Sequence, residues 1–453
     1  MADRVRQAVA PLYLLLCLLL GGSQQGIWAN MLLQLLGVAL IAWSAFERPA
    51  ARLTLPARQL LWLALAALAI VAVQLVPLPF DWWAGLGGRS ALAADYGVLG
   101  LSPSLLPVSL TPYRSLSTLL SWIPAIAMFC AIARLNAYRP SWLCVALIAG
   151  VAAGILLGAL QVASPGSESS NWYLFGDSSF GLATGFFANA NHMAVLLVIT
   201  LPFLAALAAA ARGSGRQIYS TLLVGLGAVA LVILVGIALN RSLAGLSLLL
   251  PALAGAALIL LPPRSVWRGR AAGVAALLLL AAVATIGSSA IGSGRLGEDA
   301  ATSVQSRAEM LAVTARAVGD FLPLGSGLGS FPEVYRLYED PLSVGNTYVS
   351  HAHNDYAELA LELGLPGIAL ILAFLAWWAV ASWGAWRALG SQPYARAASV
   401  ATAIILVHSL VDFPLRTAAI GACFAMGLAL LADRRTPQAD ARDLRPSRHL
   451  IFR

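Results

Sequence analysis

Ser350-His351-Ala352-His353-Asn354-Asp355-Tyr356-Ala357-Glu358-Leu359 leads through Glu362, Gly364 and Pro366-Gly367 into a long apolar run. Two histidines, an asparagine and three carboxylates crowd a short segment where a polar loop meets a membrane-type helix. Asp355, Glu358 and Glu362 are spaced i, i+3, i+7 and share one helix face, with Leu359 and Leu363 on another. Asn354 suits an N-cap, Asp355 and Glu358 suit the positive first turn, and Gly364 with Pro366 reads as a stop. Alone, the segment is equally a solvated amphipathic helix carrying two incidental histidines. The rest of the chain decides between these readings.

Hydrophobic residues make up 60% of the chain and charged residues 11%, with a mean hydropathy of +0.81. A soluble domain carries roughly 25% charge, so the composition is that of an all-α integral membrane protein. About twelve apolar runs are long enough to cross a bilayer. They fall near 7–22, 27–46, 60–77, 115–134, 142–162, 191–211, 217–239, 243–262, 271–290, 365–386, 397–412 and 416–432. Cys17, Cys130, Cys144 and Cys423 lie inside these runs without metal-ligand spacing and read as packing residues.

With the N-terminus cytoplasmic, only Arg89, Arg114, Arg241, Arg295, Arg307, Arg316, Arg336 and Arg416 fall outside. Both termini are therefore expected in the cytoplasm under the positive-inside rule. The net charge of +8 reflects that anchoring belt and does not suggest nucleic-acid binding. Spans 1–5 and their loops occupy 1–184, and a second membrane domain occupies 185–432. A basic cytoplasmic tail, 433–453, ends the chain.

The outer segments concentrate the polar chemistry. Residues 78–114 carry Trp82 and Trp83 and are expected along the interface, and residues 163–190 are rich in serine and glycine. The large periplasmic loop, 291–364, should hold short helices, including an amphipathic one around Val304–Val318, then a turn at Pro323–Gly329. Long loops in compact proteins are commonly functional.

Arg241, in the short break Asn240-Arg241-Ser242, is costly at the hydrocarbon edge unless it meets an anion. Arg307 and Arg316 lie nine apart, half a turn out of phase, so a straight helix cannot aim both at one pocket. Arg307 is the better ligand and Arg316 a surface residue. Gly325-Ser326-Gly327-Leu328-Gly329 resembles a phosphate cradle, but no strand precedes it and a tight turn fits better. Asn189, Asn191 and His192 exceed what a helix cap needs. His408, Asp412 and Arg416 cluster at a turn, as a structural clamp or as substrate contacts.

His353-Asn354, nine residues, Gly364, two residues and Gly367 resemble the His-Asn-x9-Gly-x2-Gly signature of the bacterial O-antigen ligase and O-antigen polymerase superfamily. The Phe-x-Asn-x-Asn-His element ending in His192, the Arg241 turn, the Arg307 helix and His408-Ser409-x-x-Asp412-Phe413 agree in kind and order, from about 185 to 416. The resemblance implies an inner-membrane glycosyltransferase that takes a glycan from undecaprenyl diphosphate on the periplasmic face. The acceptor would be a lipid A-core sugar in a ligase, or the growing glycan in a polymerase. No metal, nucleotide or other cofactor is implied.

By that resemblance His353 is catalytic and Arg241 and Arg307 bind diphosphate, while Asn354, Asn189, Asn191, His192, His408 and Asp412 are possible substrate contacts. His351 falls outside the signature and takes no role from it. The chemistry is coherent: guanidinium groups suit a diphosphate leaving group, and an imidazole suits a general base near neutral pH. A twelve-span transporter is the rival from another class. Transporters place ionisable residues at mid-depth and commonly repeat their halves, and neither feature is found.

Overall fold

The computed structural model describes residues 2–23, 27–47, 53–164, 171–261, 268–289, 298–340, 349–388 and 392–432. Arg48, Arg52, Arg264, Arg295 and the basic tail lie outside these residues. The chain opens with α1 (Ala2–Leu20), α2 (Trp28–Phe46) and α3 (Leu55–Gln74). A small unit follows: β1 (Pro77–Pro79), α4 (Phe80–Ala84), α5 (Ser90–Val98) and β2 (Leu105–Pro107). Next come α6 (Pro112–Ser121), α7 (Ile123–Ala133), α8 (Pro140–Ala163), α9 (Ala190–Ala210), α10 (Arg216–Asn240), α11 (Leu243–Leu260) and α12 (Arg268–Ser289). The remaining helices are α13 (Glu298–Phe321), α14 (Phe331–Tyr338), α15 (Asp355–Arg387), α16 (Pro393–His408) and α17 (Ala418–Ala432).

Eight helices among the described residues are long and apolar enough to cross a membrane, with α6 and α7 forming one of them across a break at Trp122. The expected runs at 7–22, 271–290, 397–412 and 416–432 are helical over most of their described residues without meeting that measure. Helices thus stand at every expected run, in a multi-pass membrane protein. The expected all-α architecture needs one small correction. β1 and β2 pair antiparallel, Leu78 opposite Leu106, inside segment 78–114.

Helix α9 is the axis of the bundle. Its residues from His192 to Ala206 are all buried, packed among α8, α10, α11 and α16. A helix apolar on every side is one surrounded by protein or lipid, and here the surround is mostly protein. Asn189 caps its start, accepting from the Asn191 amide at 2.8 Å. That polar end therefore sits where the turns between neighbouring helices converge.

The expected stop at Gly364 is met: the helix that begins at Asp355 ends there, and α15 is two helices joined end to end across a kink. Gly364 adopts φ 62°, ψ −149°, and the helix resumes beyond it. Such a break frees carbonyls that must find donors. The glycine loop supplies them: Ser326 N donates to Leu361 O at 3.0 Å and Gly327 N to Glu362 O at 2.9 Å. Leu365 N returns a bond to Pro323 O at 2.8 Å, and Gln74 Nε2 of α3 bridges Leu324 O and Glu362 O at 2.9 and 2.8 Å. The loop is a backbone dock, in keeping with the tight-turn reading.

A Cβ on Gly364 would lie 2.3 Å from Pro323 O, and one on Gly325 2.5 Å from Glu362 O. Gly364→Ala combines that clash with a backbone conformation open essentially to glycine, at a cost of more than about 1–3 kcal/mol. It is expected to lower the yield of monodisperse protein and its thermal midpoint in detergent, read by size exclusion with fluorescence detection. A wild-type profile would contradict the docked-backbone account.

Candidate functional site

His353 sits just ahead of α15, in the left-handed region at φ 48°. The turn is held from both sides. Asn354 caps α15, its Oδ1 accepting from Tyr356 N and Ala357 N at 3.0 Å each, while its Nδ2 donates to Leu410 O at 3.0 Å. Both ends of the Asn354 amide are thus engaged within the fold. Glu358, one turn further on, reaches back. Its Oε1 lies 2.8 Å from His351 Nδ1 and its Oε2 accepts from Ala352 N at 3.0 Å. Left-handed backbone costs a non-glycine residue free energy, and these bonds offset it just ahead of His353.

The His353 ring meets a buried carboxylate. Its Nδ1 lies 3.5 Å from Asp412 Oδ1; the His353 side chain is 27% exposed and that of Asp412 1%. His192 Nε2 approaches the same oxygen at 3.5 Å. Both approaches are long, looser than formed hydrogen bonds. Asn191 Nδ2 donates to Asp412 Oδ2 at 2.6 Å, Asn189 Nδ2 lies 3.4 Å from Oδ1, and Phe413 N donates to Oδ1 at 2.9 Å.

Asp412 lies in the turn beyond α16, outside the helices. Burial pushes its carboxyl up, but His192 and His353 more than offset this and hold it well below the usual carboxylate range. It is therefore an anion throughout the neutral range.

The α10–α11 turn joins this hub. Ser242 Oγ donates to Asn191 Oδ1 at 2.8 Å, and the fully buried Asn240 donates to Ala183 O and Ala190 O at 2.7 and 2.9 Å. Between them Arg241 takes the left-handed conformation at φ 57° that closes α10. Its backbone is pinned while its side chain is exposed. On α13, Arg307 is half-buried and Arg316 exposed, as their phase requires. Arg307 lies within electrostatic range of His408, as do Asp412, His192 and His353. His408 is fully buried, and neither ring nitrogen has a partner among the described residues. The structure therefore gathers Asn189, Asn191, His192, His353, His408, Asp412 and Arg307 into one neighbourhood, and links it to the Arg241 turn through Ser242.

Arg416 corrects the expected grouping with His408 and Asp412. It turns the other way, into the face of α15 formed by Asp355, Glu358 and Glu362. Its guanidinium lies 3.6 Å from Asp355, 3.2 Å from Glu358 and 3.4 Å from Glu362. Ser409 Oγ completes the set by donating to Asp355 Oδ2 at 2.8 Å. The shared helix face is as the spacing required, but it is not solvated: Asp355 is 4% exposed, Glu358 1% and Glu362 0%. Burial works against the charge on Arg416, yet Glu358, Glu362 and Asp355 raise its pKa above the ordinary value. Phe413 separates the two clusters, its ring centroid 4.3 Å from His351, 4.9 Å from His353 and 5.2 Å from His192.

No group of three or more metal-ligating side chains is found among the described residues. Residues 227–372 match the family model described as O-antigen ligase. The matched stretch runs from within α10 to within α15 and contains Arg241, Arg307 and His353. It supports the O-antigen ligase superfamily, and with it an enzyme of the O-antigen ligase or polymerase type acting on lipid-linked polysaccharide in a membrane. No match is found among curated proteins.

Removing the cation from a buried cluster strands its carboxylates, at roughly 3–5 kcal/mol. Arg416→Met is therefore expected to lower the thermal midpoint sharply, and Arg416→Lys less so. Unchanged melting of the methionine variant would mean that the three carboxylates are satisfied without it.

Proposed function

We propose that the chain is a glycosyltransferase of the bacterial inner membrane, with both termini cytoplasmic and the site on the periplasmic face. It transfers a glycan from undecaprenyl diphosphate to a sugar hydroxyl of a lipid A-core or glycan acceptor. The observation that carries this reading is the His353–Asp412 pair: a partly exposed imidazole backed by a fully buried carboxylate, with Arg307 in electrostatic range of the same cluster.

In the proposed step the acceptor oxygen attacks the anomeric carbon and the bond from that carbon to the diphosphate oxygen breaks. The bonding pair leaves with undecaprenyl diphosphate, and the acceptor proton passes to His353. Asp412 orients the ring and stabilises the imidazolium that forms. Arg241 and Arg307 meet the charge that grows on the leaving group, where donors arranged in advance contribute most. Their forked, permanently charged ends suit phosphate oxygens. Asn189, Asn191 and His192 act mainly through Asp412 in this scheme, and the buried His408 lies in electrostatic range of Asp412, His192 and His353.

Joining of repeat units by an O-antigen or exopolysaccharide polymerase uses the same chemistry. Gene deletion separates the two: uncapped core beside normal long chains marks a ligase, and single-unit products mark a polymerase.

The direct test is purified protein with lipid-diphosphate glycan and acceptor, following transfer and release of the lipid diphosphate. His353→Ala is expected to lower turnover by about 10²–10⁴-fold, the usual contribution of general acid–base catalysis, while still inserting. Full transfer by that variant would remove the base assignment. Asp412→Asn keeps the shape and loses the charge, so turnover should fall at least about 10²-fold. For Arg241→Lys a large loss is expected because a point charge does not replace a fork; wild-type turnover would dismiss its diphosphate role.

A further inference from the structure

Segment 78–114 and α14 enclose a groove of about 540 Å³ that the step above does not use. Its size falls within the range of small-ligand pockets, roughly 300–1,000 Å³. Trp83, Asp95, Tyr96, Ser109, Thr111 and Glu333 supply its aromatic and polar lining. Trp83 is buried, its Nε1 donating to Pro107 O at 3.0 Å, and it packs edge-on to the half-exposed Tyr96 at 6.1 Å between centroids. Glu333 pairs one carboxylate oxygen with Arg114 at 2.6 Å. Its other oxygen, and the Thr111 hydroxyl, are buried with no partner among the described residues.

This lining selects a chemistry. Asp95 and Glu333 bring negative charge, and Arg114 is already paired, so a diphosphate would be repelled. An acyl chain would leave the Glu333 and Thr111 oxygens desolvated and unpaired, which is costly. A sugar ring has an apolar face for Tyr96 and hydroxyls to donate to those oxygens.

The groove is also fixed relative to the site. Leu110 N donates to Ser326 O at 2.8 Å and Ser115 Oγ to Leu328 O at 2.7 Å. The fully buried Arg89 donates to Val108 O and, at 3.0 Å, to Gly325 O; burial lowers its pKa to about 10. Of these four contacts, those to Gly325, Ser326 and Leu328 reach the loop docked on Gly364. On the inner side of α14, Phe331 and Val334 share a buried cluster with Ala352, the neighbour of His353. The groove and the segment that carries His353 are thus joined through one buried cluster.

We infer that this groove is an acceptor subsite, binding an uncharged sugar of the acceptor glycan beyond the one that reacts. The inference rests on the glycosyl transfer proposed above. In that scheme the donor is held by its diphosphate at the arginines, whereas an uncharged acceptor needs a pocket that reads ring faces and hydroxyls.

The test uses the full chain in lipid nanodiscs and oligosaccharides cut from the delipidated lipopolysaccharide core and surface glycan of the source bacterium. Binding is read by calorimetry and tryptophan fluorescence. Thr111→Val and Glu333→Gln are nearly isosteric, and Tyr96→Leu removes the ring. Each should weaken binding and raise the acceptor KM by roughly ten-fold, as expected for one lost polar or aromatic contact. His353→Ala should bind the oligosaccharide as wild type does. Transfer with unaltered acceptor KM in all three groove variants would sink the subsite and leave the reaction standing. Groove-dependent binding without any transfer by the wild type would do the reverse. Quenching of Trp83 by a lipid with a brominated acyl chain, with no saccharide bound, would assign the groove to lipid and overturn the inference.

Discussion

Carboxylates taken out of water must be given donors or cations, and this constraint shapes the protein wherever α15 begins. Asp355, Glu358, Glu362 and Asp412 are all essentially buried. Unpaired, each would carry a desolvation cost of several kcal/mol. Three of them converge on Arg416, and the fourth draws in two asparagines and two histidines. What results is a rigid polar plug at the head of an apolar helix. The exposed edge of that plug is His353, so the residue proposed to take a proton is positioned by groups that cannot easily move.

The backbone at Gly364 lets this happen. A straight α15 would carry its carboxylate face and its apolar face along a single axis. The break frees two carbonyls, and the loop at 325–329 takes them up, so the segment after α13 is stitched to the head of α15 by main-chain bonds. Side-chain variation on the outside of that segment leaves the stitching untouched. Helix α14 and segment 78–114 are fastened to the same loop from its other side.

Much of this was legible in the sequence, and the remainder was hidden for identifiable reasons. Apolar run length placed the helices because a bilayer imposes length directly. The Asn354 cap and the common face of Asp355, Glu358 and Glu362 followed from spacing alone. Periodicity names the face but not its cover, however. Arg416 arrives from more than fifty positions downstream, and a short turn after Phe413 aims it away from Asp412, its near neighbour in the chain. The β1–β2 pair escaped notice because proline at the strand ends argues against a strand. The eight residues of α14 were too few for a periodic signal. His353 and Asp412 were each singled out, but their pairing, and the seat of Arg89 against the 325 loop, are facts of tertiary contact that no local pattern encodes.

The burial of α9 has a consequence for how the chain comes together. The helix is enclosed partly by α16, which begins at Pro393, almost two hundred residues after it. During synthesis α9 must therefore wait in the bilayer with that flank against acyl chains until the late helices arrive. Its apolar sequence on every side makes the wait tolerable. The polar knot at its head, Asn189 to His192, obtains its carboxylate partner only when residue 412 emerges, so completion of this polar cluster and closure of the bundle are the same late event.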